Sequence, residues 1–205
     1  MSLFTVSQTS KHSHKIKKSQ FTSYVRHCHS LLDFRSWLSQ IRQDHYDASH
    51  VCWAYRLQEN SKLVQHSSDA GEPSGSAGFP ILRILKKNNL MQCGLVVARY
   101  FGGIKLGKKG LIEAYGNAAE NVISDSILIK WVSTENYIIT CPVNLYGDLS
   151  QAFQKFNGSI LVDQSGEDLK WLVKIKSNQV GDLSYLIRHL TKGKGKMEKY
   201  NKSEQ

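Results

Sequence analysis

Three small groups of residues have types and spacings that could do chemistry. In "RYFGGIKLGKKG" (Arg99–Gly110), Gly102, Gly107 and Lys108 make G-x-x-x-x-G-K, the spacing of a loop that cradles nucleotide phosphates. In "SSDAGEPSGSAGF" (Ser67–Phe79), Asp69 and Glu72 are carboxylates that could act as an acid/base pair or, with His50, hold a hydrolytic metal. His50 and Cys52 are two apart on an expected strand and so face one side. His27, Cys28 or His29 could join them in a thiol or metal site. Each group also has a purely structural reading. Acidic residues in a Gly/Ser/Pro loop accept backbone N–H bonds, a His–Cys pair on a strand packs at the edge of a core, and glycines permit a tight strand-to-helix turn. No Ser–His–Asp order and no nucleophile elbow is visible.

The surrounding patterns predict the elements that must position these groups. Met1–Gln20 is rich in Ser, Thr, His and Lys and reads as a flexible basic arm, with His12 and His14 titrating in solvent. Tyr24–His29 is a strand candidate. Ser30 can cap a helix to about Asp44, with Leu31, Phe34, Trp37, Leu38 and Ile41 on one stripe. Val51–Leu57 and Gly94–Tyr100 read as strands, and a helix begins at Pro80 and ends at Asn88–Asn89. Leu111–Ile123 has helical spacing. Beyond a boundary near Lys130–Asn136 a second module follows. Its strands are Tyr137–Pro142, Ser159–Asp163 and Leu169–Lys176, and its helices are Leu145–Phe156 and Val180–Leu190. That is β-α-β-β-α, the start of a ferredoxin-like unit. A closing strand is due in "TKGKGKMEKYNKSEQ", which is poor strand material and reads as an irregular edge or a disordered basic tail.

Nucleotide hydrolysis is not expected. Lys109 stands where a magnesium-binding hydroxyl belongs, and its charge repels the metal. No later strand ends in a metal-binding Asp within a parallel array: "YIIT" leads to Cys-Pro and "SILVD" to a hairpin. The loop can still hold an anion, because glycines let backbone N–H groups converge beside a helix start and Lys105, Lys108 and Lys109 add charge.

The 205 residues have a formal net charge of +10, with 40% hydrophobic and 21% charged residues. That balance suits a globular protein with an anionic partner such as RNA, DNA, the ribosome or an acidic protein. Lysines recur near the end, at Lys192, Lys194, Lys196, Lys199 and Lys202. No apolar run reaches the ~18 residues of a membrane helix, and the start lacks a signal-peptide core. Cys28, Cys52, Cys93 and Cys141 are widely spaced and read as reduced thiols, which places the chain in the cytoplasm.

Two segments together are more specific than either alone. "SDAGEPSGSAGFPIL" (Ser68–Leu82) and "VVARYFGGIKLGKKGLIEAYGNA" (Val96–Ala118), with "DASHVCWAY" (Asp47–Tyr55), strongly resemble the IMPACT/YigZ family. The likeness covers roughly Phe21–Ile127. The family pattern has a small residue at Lys108 and glycine at Lys109, so the apparent G-K pair is a local variant and the loop is no degenerate phosphate-binding motif. Ala70 replaces the second acid of D-D-G-E, which weakens any metal site built on that pair. Ser76 replaces threonine and keeps the hydroxyl, and Ala98 replaces a common threonine.

The resemblance implies an α+β protein of two domains. The first, residues 21–130, would be similar to a domain of a small-subunit ribosomal protein and of elongation factor G, with a left-handed βαβ unit. The second, residues 136–205, would be ferredoxin-like, as in elongation factor G. Eukaryotic relatives regulate translation by competing for the activator of a stress-responsive initiation-factor kinase. That role needs a further binding domain outside the matched segments and is not expected to transfer.

The resulting expectation is a non-catalytic RNA- or ribosome-binding protein linked to translation, without cofactor, metal or membrane partner. The expected anion groove is made of Glu72, Ser74, Gly75, Ser76 and Gly78 from one loop and Arg99, Tyr100, Phe101, Gly102, Gly103, Lys105, Gly107 and Lys108 from the other. Arg and Lys would hold phosphates while Tyr and Phe stack on bases. The alternatives are a regulator that binds a protein partner and a metal-assisted hydrolase using Asp69 and Glu72.

Overall fold

The computed structural model describes residues 2–59 and 62–200. The chain divides into two compact units, Met1–Trp131 and Val132–Gln205.

The first unit runs β1 (Leu3–Val6), β2 (Ser10–Ile16), β3 (Ser19–His27), α1 (Leu31–Asp44), β4 (His50–Glu59), β5 (Lys62–Ser68), α2 (Gly78–Lys87), β6 (Cys93–Tyr100), α3 (Gly107–Ser124) and β7 (Leu128–Trp131). Its main sheet has the order β2-β3-β6-β4-β5, with every neighbouring pair antiparallel. Strands β3 and β4 are therefore parallel to each other with β6 between them, and α1 makes the crossover. Strands β5 and β6 are related in the same way through α2.

Period-two alternation assigns the two faces. Phe21 and Val25 of β3, Cys52 and Ala54 of β4, and Leu95 and Val97 of β6 pack beneath α2 and α3. Tyr24, Val51, Trp53, Tyr55, Leu57 and Val96 point the other way, onto Phe34, Trp37, Leu38 and Ile41 of α1. Strand β6 is central and covered on both sides, which is why it reads as one apolar run. Ser30 caps α1 by accepting from the Asp33 N–H at 3.1 Å, and the Asp33 carboxylate accepts from His29 N–H and from Arg26 Nη2, each at 2.8 Å. This reciprocal cap fixes the helix start that Ser30 predicts.

Within the expected arm, Leu3–Val6 and Ser10–Ile16 are ordered strands rather than a loose segment. Leu3–Val6 pairs with β7 and Ser10–Ile16 pairs along β3 from Ser10↔Val25 to Ile16↔Ser19. An edge strand needs only backbone pairing and one supported face, so its composition can stay polar. His12 lies 2.7 Å from Asp125, and the His14 ring stacks on Phe21 with centroids 5.6 Å apart.

The second unit runs β8 (Thr134–Pro142), a 3₁₀ turn (Val143–Leu145), α4 (Tyr146–Gln154), β9 (Ser159–Asp163), β10 (Asp168–Lys176), a second 3₁₀ turn (Ser177–Gln179), α5 (Val180–Leu190) and β11 (Lys196–Lys199). The antiparallel sheet has the order β11-β8-β10-β9. Leu169, Trp171, Val173 and Ile175 of β10 face a core shared with Leu149, Phe153, Leu183 and Ile187. Between them, Asp168, Lys170, Lys174 and Lys176 are exposed on the open face. The lysine-rich end supplies the closing strand: Lys196–Lys199 pairs with Tyr137–Thr140, Met197 packs on the core, and Lys199 Nζ lies 2.6 Å from Glu135. Lys202 lies outside the described residues. Among the described residues no helix is long and apolar enough to cross a membrane.

Candidate functional site

The loop after β5 folds around one carboxylate. Asp69 Oδ1 accepts from the N–H groups of Ala77 and Gly78 at 2.9 and 2.8 Å, and Oδ2 accepts from Gly75 N–H at 2.9 Å. Burial alone raises the Asp69 carboxyl, but these three donors and the Lys108 charge outweigh it and hold the group below its ordinary range. This corrects the expected anion cradle over Gly75–Gly78: the Gly75, Ala77 and Gly78 amides are bound by an anion of the chain itself, and the Ser76 N–H donates to Pro73 O at 3.0 Å. Ser76 is buried and donates its hydroxyl to Pro73 O at 2.6 Å, whereas Ser74 is exposed. Two side chains of β4 brace the loop from below. His50 Nδ1 lies 2.9 Å from Ala70 O, and the Cys52 thiol donates to Asp69 O at 2.9 Å. Burial pushes the Cys52 thiol up to about 12, so it is not a thiolate nucleophile. Cys28 belongs to the core beneath α1, on the face of the sheet opposite Cys52.

Glu72 has a different partner. Its side chain is 3% exposed, and Oε1 accepts from Arg99 Nη1 and from the Tyr115 hydroxyl, each at 2.7 Å. Burial raises the Tyr115 hydroxyl strongly, so it remains a donor at neutral pH. Arg99 Nη2 reaches Ser19 Oγ at 3.4 Å, and the guanidinium lies between the rings of Phe21 and Phe101, 5.6 and 5.4 Å from their centroids. Arg99 is thus a buried structural cation rather than the exposed phosphate ligand expected from its position. The carboxylates of Asp69 and Glu72 are engaged separately, one by backbone amides and one by Arg99. Among the described residues no group of three or more His, Cys, Asp or Glu is placed to hold a metal.

The two loops nevertheless meet. They bound a cleft of about 480 Å³, with His50, Glu72 and Arg99 among its lining and Phe101, Lys105, Gly107 and Lys108 contributed by the second loop. Phe101, Lys105 and Lys108 are exposed. Helix α3 begins at Gly107, in the left-handed region at φ +70°, and no side chain caps its first N–H groups. Gly102 serves packing instead: a Cβ there would overlap the Lys18 carbonyl in the β2–β3 turn. Gly103 is exposed at φ +85° and lies in open space. Tyr100 does not face the cleft. It shares the α1 side with Val96, and its hydroxyl meets His45 Nδ1 at 2.7 Å and Asp47 at 3.3 Å. Ser19, Ser49 and Tyr115 also complete the site. Ser49 accepts the Phe101 N–H at 3.1 Å and lines the cleft, while Tyr115 reads in sequence as one more apolar position of α3.

These features define a class: a mixed α/β chain of two units whose first unit joins a carboxylate-wrapped loop to a glycine loop at an uncapped helix start. Residues 17–123 match the Impact N-terminal domain, and the chain belongs to the IMPACT family. It is 43% identical over 117 residues to IMPACT family member YvyE of Bacillus subtilis, covering 57% of this chain and 54% of that one. It is 26% identical over 181 residues to IMPACT family member YigZ of Escherichia coli, covering 87% and 88%. The match spans about half the length of YvyE and of a Haemophilus influenzae IMPACT family member, 54% and 53%. A crystal structure of a hypothetical protein superposes with a TM-score of 0.78 at 23% identity, covering 99% of this chain and all of that one. This last likeness concerns fold alone.

Proposed function

We propose that this chain is a non-catalytic, cytoplasmic RNA-binding protein that acts at or near the ribosome, and that the cleft of the first unit is its RNA site. The observation that carries this reading is the juxtaposition of exposed Phe101 with Lys105, Lys108 and the uncapped start of α3. A ring beside two exposed ammonium groups and a helix start without a side-chain cap suits a base and its phosphate. Glu72 and Arg99 line the cleft and join the two loops through one ion pair, while Asp69 holds its own loop in shape. The formal charge of +10 favours the same class of partner. The β-α-β-β-α-β order of the second unit supports reading it as ferredoxin-like, and family membership supports likening both units to translation-factor domains.

The test is fluorescence anisotropy with a labelled single-stranded RNA at low and moderate salt, comparing the natural chain with Phe101→Ala and with Lys105→Ala/Lys108→Ala. Loss of binding in both variants with unchanged thermal unfolding is expected. No binding at low salt, or binding indifferent to all three substitutions, would overturn the reading and favour a protein partner.

A further inference from the structure

The floor of the cleft presents acceptors. Both donors to Glu72 use Oε1, from Arg99 and from Tyr115. Among the described residues Oε2 has no hydrogen-bond partner, and His50 Nε2 is 4.0 Å away, beyond bonding range. His50 is constrained by its other nitrogen. Ala70 O can only accept, so Nδ1 carries a proton, and Nε2 is the acceptor facing Glu72 whenever the imidazole is neutral. Two acceptors thus stand side by side in a cleft that both residues line. A carboxylate so little exposed gains much from a donor and tolerates another acceptor badly. Arg99 Nε is shut off from solvent and does not compensate.

We infer that the cleft reads the base: Glu72 Oε2 and His50 Nε2 accept from an exocyclic amino group, so that an unpaired cytosine is admitted and a uracil is disfavoured. The inference rests on the RNA-binding reading above. Cytosine and uracil have the same size, stacking face and backbone charge. At position 4 cytosine carries an amino group, two N–H donors on one nitrogen, and uracil an O4 acceptor; uracil's single N3–H donor is flanked by two carbonyl oxygens, so it cannot serve two adjacent acceptors without setting an oxygen against them. Stacking on Phe101 and phosphate contact with Lys105 and Lys108 are common to both, so the acceptor pair alone discriminates.

The experiment measures Kd for oligocytidine and oligouridine RNA hexamers at pH 8, where an ordinary imidazole is neutral. The expected ratio is about tenfold in favour of cytidine, the scale of one hydrogen bond to a charged acceptor. Glu72→Gln keeps an oxygen for Arg99 and turns an amide donor into the cleft, so the preference should vanish or reverse. Lys105→Ala/Lys108→Ala should weaken both oligomers equally and leave the ratio unchanged. Equal affinities in the natural chain, with binding still weakened in the lysine variant, would overturn base selection and leave the RNA reading standing. Absence of binding to either oligomer would overturn both. Should Glu72→Gln not fold, the ratio in the natural chain decides alone.

Discussion

Arg99 Nη1 and Glu72 Oε1 lie 2.7 Å apart, with side chains 6% and 3% exposed. This ion pair joins the end of β6 to the loop after β5. It fixes the wall of the cleft and is fully desolvated, so it must be kept whole. Removing one partner strands a buried charge.

Arg99→Ala should therefore destabilise the first unit by about 3–5 kcal/mol, the cost of breaking a buried pair. Glu72→Gln retains an acceptor for both Arg99 and Tyr115 but leaves the Arg99 charge uncompensated, so it should destabilise the unit too, by less than Arg99→Ala. Urea unfolding followed by tryptophan fluorescence ranks the two. Similar losses for both would show that the pair does not carry the wall.

Asp69 makes a second prediction. Asp69→Asn replaces a charged acceptor of three backbone N–H groups by a neutral one, at a cost of about 1.5–3 kcal/mol. The folded carboxyl is held below its ordinary value, so its stabilisation is complete above the unfolded value, near 3.9, and is lost as pH falls through the folded value. Acid titration of stability should show a component below about pH 4 that Asp69→Asn lacks.

Much of the frame was legible in sequence where burial dictates the pattern. The α1 stripe, the continuous apolar run of β6 and the alternation of β10 each report the faces they cover. Strands β2, β5 and β11 were not legible. Their pairing is done by backbone atoms and their side chains are largely polar, so composition marks them as arm, loop or tail. In the candidate site, the two motifs mark loops that the fold brings together, and Phe101, Lys105 and Lys108 line the cleft between them. Sequence cannot tell a free cation from a paired one: Arg99 and Lys105 look equivalent until the fold brings Glu72 from 27 positions away. Nor does a glycine loop announce that Asp69 already fills it.

His45 gives a pH-dependent prediction. Tyr100 donates its single proton to Asp47, so it accepts from His45 Nδ1–H, and Nε2 accepts from the Tyr24 hydroxyl at 2.7 Å. The chain of bonds is complete only for the neutral ring. Burial first, and then the Lys11 charge, lower the His45 value, and His14 is lowered likewise by burial and by His12. Both contributions are whole above the ordinary value of about 6.5 and are lost as pH falls through the folded values. Unfolding midpoints measured from pH 8 down to pH 5 should fall, and His45→Gln should flatten the lower part of the curve. An unchanged slope in the variant would exclude His45 as a contributor.

The salt dependence of RNA binding separates the cleft from the tail. Lys105 and Lys108 are exposed and make no ion pair among the described residues, so each can release counterions from a phosphate, whereas Lys199 is already 2.6 Å from Glu135. For single strands each neutralised phosphate contributes about 0.7 to the slope of log K against log salt. Lys105→Ala/Lys108→Ala should therefore reduce the slope by about 1.4, that is twice this amount. Replacing Lys192, Lys194 and Lys196, which are exposed on the second unit and do not line the cleft, should lower affinity less at any one salt concentration if the cleft is the site. Anisotropy titrations at four salt concentrations give both slopes. A larger change from the tail lysines than from the cleft pair would move the binding surface to the second unit, with Phe101→Ala then expected to have no effect.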